Sequence, residues 1–209
     1  MFWTRLFSGI VLLVIAIGSI WLGGPVLTVV LLVVSLVGYR ELTKALGVSS
    51  VTAIEIVGLA GTVLYYGVIQ LCMKTTVSGL MWWDSANGAV WLLGCIVLVF
   101  MAQLFIYVFV FPKYQAEQVI AGFFAFVYAP VMLSFIELTR MTAAGILVVW
   151  LILISSWGCD TCAYVVGKLI GKKKIFPVLS PKKSLEGCIG GVLGAALLGF
   201  LYGKYVVNL

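Results

Sequence analysis

The sequence predicts an all-α fold, a polytopic transmembrane bundle of about seven spans with its N-terminus in the cytoplasm. Three observations carry this expectation. Hydrophobic residues make up 64% of the 209 positions and charged residues only 10%, where a soluble domain carries about 25% charged residues. A bilayer core takes about 20 mostly apolar residues per helix, and the chain divides on that scale into seven apolar runs. The basic residues are also lopsided. With the N-terminus inside, Arg5, Arg40, Lys44, Lys113, Lys168, Lys172, Lys173, Lys174, Lys182 and Lys183 fall on one side, and only Lys74, Arg140 and Lys204 on the other. Cytoplasmic loops collect such an excess.

The runs, in order, cover residues 6–22, 25–39, 53–73, 88–111, 117–138, 143–157 and 187–207. The first follows Met-Phe-Trp-Thr-Arg with no small-residue cleavage site, so a retained span is expected there. Turn-forming punctuation separates the runs: Gly23-Gly24-Pro25, Gly47-Val48-Ser49-Ser50, Trp82-Trp83-Asp84, Pro112-Lys113 and Thr139-Arg140. The second and sixth runs are short, and each is expected to continue past its polar end, to about 46 and 166. That extension puts Glu41 and Asp160 on helices near one membrane face, with their charges toward protein or water. Trp82, Trp83 and Trp91 gather at the opposite interface, where indole rings prefer to sit. The last run repeats Gly187, Gly191, Ala195 and Gly199, with Gly190 and Gly194 on an adjacent stripe. Small residues in this spacing let helix backbones approach closely, so this helix is expected inside the bundle or at a subunit interface. The whole chain, 1–209, reads as a single integral-membrane domain with a cytoplasmic basic loop at about 160–186.

Several function classes drop out. The net charge of +6 fits membrane topology and lipid headgroups. Nucleic acid is not an expected partner, because the lysines are not interleaved with stacking aromatics. Cys159 and Cys162 form a C-x-x-C, but no histidine and no second such pair supplies the other zinc ligands. The five cysteines read as small apolar side chains. Gly167 and Gly171-Lys172 lack the spacing and the Ser/Thr of a P-loop. The polar residues gather at one end of the spans, without the broken helices and inverted repeats of a transporter.

Residues 160–191 form the polar island of the chain and hold six lysines. Lysine ammoniums in this density suit phosphates, as compact charges with several donors each. Those phosphates could belong to a lipid, a nucleotide or both. Two roles are open for Asp160, an ion pair with Lys168 or a neighbouring lysine, or a Mg²⁺ ligand acting together with phosphate oxygens. Thr161 and Tyr164 can hydrogen-bond phosphate or lipid oxygens. Lys168 and Lys172 to Lys174 also suit simple headgroup anchoring. Lys182 and Lys183 are stronger candidates. Pro181 restricts Ser180 to extended backbone, and Ser184 can cap the incoming helix, whose N-terminus favours an anion. Glu186 in the first turn either compensates the helix dipole or takes part in metal chemistry.

Asp160-Thr161-Cys162-Ala163-Tyr164, the Gly171-Lys172 loop, and Ser180-Pro181-Lys182-Lys183-Ser184-Leu185-Glu186-Gly187 followed by Gly190-Gly191 resemble the phosphatidate cytidylyltransferase (CDP-diacylglycerol synthase) family. Arg5-Leu6-Phe7-Ser8-Gly9 and Arg40-Glu41-Leu42 agree with that family's layout, so the likeness runs along nearly the whole chain. The resemblance implies a helical enzyme of the bacterial cell membrane, in a family whose members are often homodimers, and the basic-residue count puts the active face in the cytoplasm. Its partners would be CTP and phosphatidic acid, its cofactor Mg²⁺, and its products CDP-diacylglycerol and pyrophosphate. On this chain it implies Asp160 and Lys183 as catalytic residues, with Asp160 on the metal. Thr161, Tyr164, Lys168, Ser180, Lys182, Ser184 and Glu186 would bind substrate.

The family carries a second signature downstream, with a Lys-Arg pair, a Lys-Asp, a His-Gly-Gly and a final pair of aspartates that centre its metal chemistry. No such signature occurs between Met1 and Leu209. The resemblance therefore implies either a fragment or a shortened relative. The alternative function is a truncated, inactive membrane relative that binds anionic lipid or a full-length partner.

Overall fold

The computed structural model describes residues 2–48, 52–78, 85–176 and 180–207. Ser49, Ser50, Trp82, Trp83 and Asp84 lie outside the described residues, as do the side chains of Arg5, Lys74 and Lys182. The helices are α1 (Phe2–Leu22), α2 (Gly24–Ala45), α3 (Ala53–Ser78), α4 (Ser85–Phe109), α5 (Ala116–Phe126), α6 (Met132–Arg140), α7 (Gly145–Ile170) and α8 (Leu185–Tyr202). Among the described residues six segments are long and apolar enough to cross a membrane: Gly24–Ala45, Ala53–Leu71, Gly88–Phe109, Ala116–Arg140, Gly145–Ile170 and Leu185–Val207. Within α1, Val11–Leu22 forms a shorter apolar stretch. The expected helical membrane bundle is therefore present. One addition is a small antiparallel hairpin of β1 (Lys174–Phe176) and β2 (Ser180–Ser184).

The fifth span is made of two helices. Pro130 lacks an N–H and its ring crowds the carbonyl one turn back, and the ladder widens there into a π-helical turn over Val127–Val131. α5 and α6 continue on either side of it. At the start of α5, Gln115 N–H donates to Gln118 Oε1 at 3.1 Å, half of a reciprocal cap.

The chain forms two compact units, Met1–Met141 and Thr142–Leu209. In the first, α3 packs against α2 and α4, and α5 against α2, α3 and α4. Its outward surface is apolar, with Val29, Val33, Leu93, Val97 and Phe105 exposed. Its interior is partly polar, and the hydroxyls there are tied in pairs. Ser35 Oγ and Tyr66 Oη lie 2.9 Å apart, Tyr66 O–H also reaches the Pro130 carbonyl at 3.3 Å, and Tyr65 Oη meets Ser134 Oγ at 3.3 Å. Such ties satisfy groups that have no water to turn to within a bilayer. Glu137 is fully buried at one end of this interior, with one carboxylate oxygen against Thr28 and Gln70.

Glycines set how closely these helices approach. The Tyr39 ring occupies the space a side chain at Gly58 would need, and Gly122 faces Ile54 and Gln103. A Cβ on Gly122 would lie 2.6 Å from Ile54 Cγ2. Gly122→Val is therefore expected to cost about 1–3 kcal/mol of stability through overpacking. Gly67→Ala, where nothing lies within 4 Å, should leave the thermal unfolding midpoint in detergent unchanged or slightly raised.

Candidate functional site

The second unit begins from a contact between two helices. α7 and α8 run antiparallel and meet through glycine. A Cβ on Gly190 would strike the Val166 side chain at 2.6 Å. One on Gly191 would come to 2.9 Å from both Ala163 Cβ and the Cys159 carbonyl, and Cys162 Sγ fills the space beside Gly194. The expected close packing of the last helix is thus directed at α7, although Gly199 has nothing within 4 Å. At the far end Tyr202 O–H donates to the Leu147 carbonyl at 2.9 Å. Cys159 and Cys162 sit in this contact as small side chains.

α7 continues past its polar end as expected, and runs four residues beyond the expected limit at about 166, so helix occupies the first part of the stretch at 160–186. Its helix continues to Ile170 because Cys159, Cys162, Ala163, Val166 and Gly167 keep one face against α8 while the polar residues occupy another. Twenty-six residues span ~39 Å, more than the ~30 Å of a hydrocarbon core. Asp160, Tyr164 and Lys168 lie four residues apart on a single exposed stripe, with Thr161 exposed beside them. Lys168 Nζ stands 5.9 Å from the Tyr164 ring centroid, a cation–π contact. The Asp160 carboxylate makes no ion pair or hydrogen bond among the described residues. Lys168 is two helical turns away, ~12 Å along the axis, which is too far for the pairing that the sequence left open.

Three glycines close around one hydroxyl at the end of α7. Ser184 is 3% exposed, and its Oγ accepts the Gly187 N–H at 3.2 Å as the N-cap of α8. The same oxygen lies 3.1 Å from a Cβ built on Gly167 and occupies the space a Cβ on Gly171 would need. Gly171 ends α7 with extended backbone, its N–H on the Gly167 carbonyl at 3.2 Å. The chain then turns into the hairpin, whose register pairs Lys174 with Ser184 and Phe176 with Ser180 across a bulge. Leu185 N–H donates to the Lys173 carbonyl at 2.8 Å.

This arrangement holds Lys172, Lys173, Lys174 and Lys183 at the N-terminus of α8 with their side chains exposed. Ser180 is half-buried at the start of β2. Glu186 does something the sequence did not reveal. Its carboxylate accepts the Lys172 N–H at 3.0 Å, and the Lys173 N–H at 3.2 and 3.3 Å. Asp160 and the hairpin are not brought together, since ten residues of helix separate Asp160 from Ile170, ~15 Å.

A second polar feature lies in the first unit. Arg40 Nε and Glu55 Oε1 form an ion pair at 3.1 Å, with Glu55 almost wholly buried. They line a cleft of about 360 Å³ together with Val37, Glu41, Thr43, Lys44 and Val48. Glu41 is helical, as expected, on the last turns of α2.

Mg²⁺ takes one or two carboxylates together with substrate phosphates. Among the described residues no three His, Cys, Asp or Glu side chains converge, and Glu186 is engaged by backbone amides. Asp160 is the exposed carboxylate of this unit that fits a metal shared with phosphate oxygens.

Fold and site together define an integral membrane protein that carries a glycine-braced basic hairpin. The chain belongs to the cytidylyltransferase family, whose profile matches residues 3–209. It is 41% identical over 97 residues to the phosphatidate cytidylyltransferase of Thermotoga maritima, a match covering 46% of this chain and 35% of that protein. With the Bacillus subtilis phosphatidate cytidylyltransferase it shares 35% identity over 68 residues, covering 32% and 25%. The match to the Staphylococcus aureus phosphatidate cytidylyltransferase is longer and weaker, 25% over 200 residues, covering 95% of this chain and 71% of that protein. The chain thus spans about a third and a quarter of the first two relatives where it matches them.

Ser184→Ala removes the cap and leaves the Gly187 N–H without it, at a cost of about 1 kcal/mol. Gly191→Val should cost about 1–3 kcal/mol by wedging α8 from α7. Thermal unfolding in detergent should show both losses, while Gly199→Ala is neutral or mildly stabilising.

Proposed function

We propose that the protein acts in the condensation of CTP with phosphatidic acid to give CDP-diacylglycerol and pyrophosphate, at the cytoplasmic face of a bacterial plasma membrane. The observation that carries this reading is the cluster of exposed lysines held at the α8 N-terminus, next to a polar stripe running down α7 into the span. Membership of the cytidylyltransferase family, and relatives named phosphatidate cytidylyltransferase, support it over an inactive lipid-binding remnant. The homodimer belongs to the same reading.

In this reaction a phosphate oxygen of the lipid attacks the α-phosphorus of CTP. The bond from that phosphorus to the oxygen bridging the β-phosphate breaks, and the electron pair leaves with pyrophosphate. The protein contributes mainly position and charge. Lys183 and its neighbours Lys172 and Lys173 neutralise the leaving pyrophosphate, with the α8 dipole adding to their field. Lys182 precedes Lys183 on β2, and Ser180 stands at the start of that strand. Ser184 acts indirectly, by capping α8 and fixing the strand that carries Lys183. On α7, Tyr164 and Lys168 receive the lipid phosphate as it rises from the bilayer, with Thr161 as a further hydrogen-bond donor. Asp160 would hold Mg²⁺ together with phosphate oxygens, and the metal would supply charge neutralisation there.

The test is cytidylyl transfer from labelled CTP to phosphatidic acid in the presence of Mg²⁺. Lys183→Ala should lower kcat/KM by about 10²-fold, the scale of losing one charge-stabilising donor, and Asp160→Asn should abolish turnover. Normal activity in both variants, or no binding of CTP by the unaltered chain, would contradict the reading.

A further inference from the structure

A carboxylate offers about four lone-pair sites to donors. In Glu186 three contacts already use both oxygens, and their donors are two successive backbone amides, those of Lys172 and Lys173. Successive N–H groups that point the same way make a small anion seat, and here an anion from the chain itself fills it. The Lys173 peptide is gripped from both sides, because its carbonyl accepts the Leu185 N–H at 2.8 Å. Glu186 is the second residue of α8. The reciprocal cap of a helix start uses the third, a position that is Gly187 in this chain. The Glu186 carboxylate also lies by its own N–H in the first turn of α8, so Glu186 joins that turn to the one after α7.

We propose that Glu186 is a positioning residue: its carboxylate holds the Lys172–Lys173 turn onto the first turn of α8 and so sets where the lysine ammoniums are presented. Ligating a metal would require it to release those amides. The consequence for CTP rests on the proposed function above, whereas the brace itself does not. In the braced state the backbone amides are occupied by an internal carboxylate, so phosphate groups meet the ammoniums and not the amides. Three lysines in a row follow Gly171, and mutual repulsion of their side chains would open an unbraced turn. Glu186 supplies the charge that opposes this at the root of the turn, while the ammoniums stay free for a ligand.

Two readouts separate the brace from other roles. Trypsin cuts after lysine, so cleavage at Lys172, Lys173 and Lys174 in detergent-solubilised protein reports opening of the turn. Glu186→Ala should speed that cleavage by about tenfold or more, as expected when a local opening becomes easier. Glu186→Gln, which keeps one acceptor oxygen and the side-chain shape, should fall between. Cleavage at Lys113 serves as the reference within the same sample, and Glu41→Gln should change nothing.

In cytidylyl transfer, Glu186→Gln should raise KM for CTP more than it lowers kcat, with the Mg²⁺ concentration for half-maximal rate unchanged. Unchanged cleavage in Glu186→Ala would overturn the brace. So would a large shift in the Mg²⁺ requirement of Glu186→Gln, because that result marks a metal ligand. If the chain turns over no CTP at all, the proteolysis comparison still decides the matter, and only the proposed function fails.

Discussion

Everything at the polar end of the second unit depends on how closely α7 and α8 approach. Gly187, Gly190, Gly191 and Gly194 remove side chains from one side of the contact, and Cys159, Cys162, Ala163, Val166 and Gly167 fill it from the other. In lipid no hydrophobic drive holds helices together, so association rests on close packing and on hydrogen bonds between helices. The same closeness reaches the helix ends. Gly167 and Gly187 approach so tightly there that the Ser184 hydroxyl is enclosed, and that hydroxyl fixes the start of α8. From this point the hairpin has little freedom. Ser184 anchors β2, the register places Lys174 opposite it, and the Glu186 carboxylate closes the turn before β1. A chain of short-range constraints thus holds Lys172, Lys173, Lys174 and Lys183 at an exposed edge.

The first unit uses a different balance. Its interior is built from tyrosine, serine, threonine and glutamine pairs as well as aliphatic side chains, with the apolar residues turned outward. Interhelical hydrogen bonds in measured membrane bundles average only about 0.6 kcal/mol, so the network matters through number and geometry more than through any one bond. Small residues on α3 and α5 let these groups meet. The pair of exposed Arg40 with buried Glu55, lining an open cleft, gives this unit a polar end of its own.

Much of the fold could be read from the sequence because a bilayer demands long apolar runs, and runs of that kind survive without any knowledge of packing. Helix ends were less legible. The continuation past Trp157 was expected to about 166, but Asp160, Tyr164 and Lys168 recur every four residues and leave the other face free to pack, so α7 runs on to Ile170. The hairpin gave almost no signal: β1 is three residues long, and β2 contains a proline and two lysines with no apolar alternation. Ser184 as a cap was readable from residue type and place. The partners of Glu186 were not, since they are backbone amides thirteen and fourteen residues upstream. The burial of Glu137 was not read from the sequence, since its partners Thr28 and Gln70 lie on other helices.

On the proposed function, the lysines held by the α7–α8 contact form the seat for nucleotide phosphates. Amine-selective acylation of the lysines, mapped by mass spectrometry with and without CTP and Mg²⁺, tests it most directly. CTP should protect Lys172, Lys173, Lys174 and Lys183, and leave Lys44, Lys113 and Lys204 labelled as before. Equal labelling of the hairpin lysines in both samples, or protection concentrated at Lys44 in the other cleft, would contradict it.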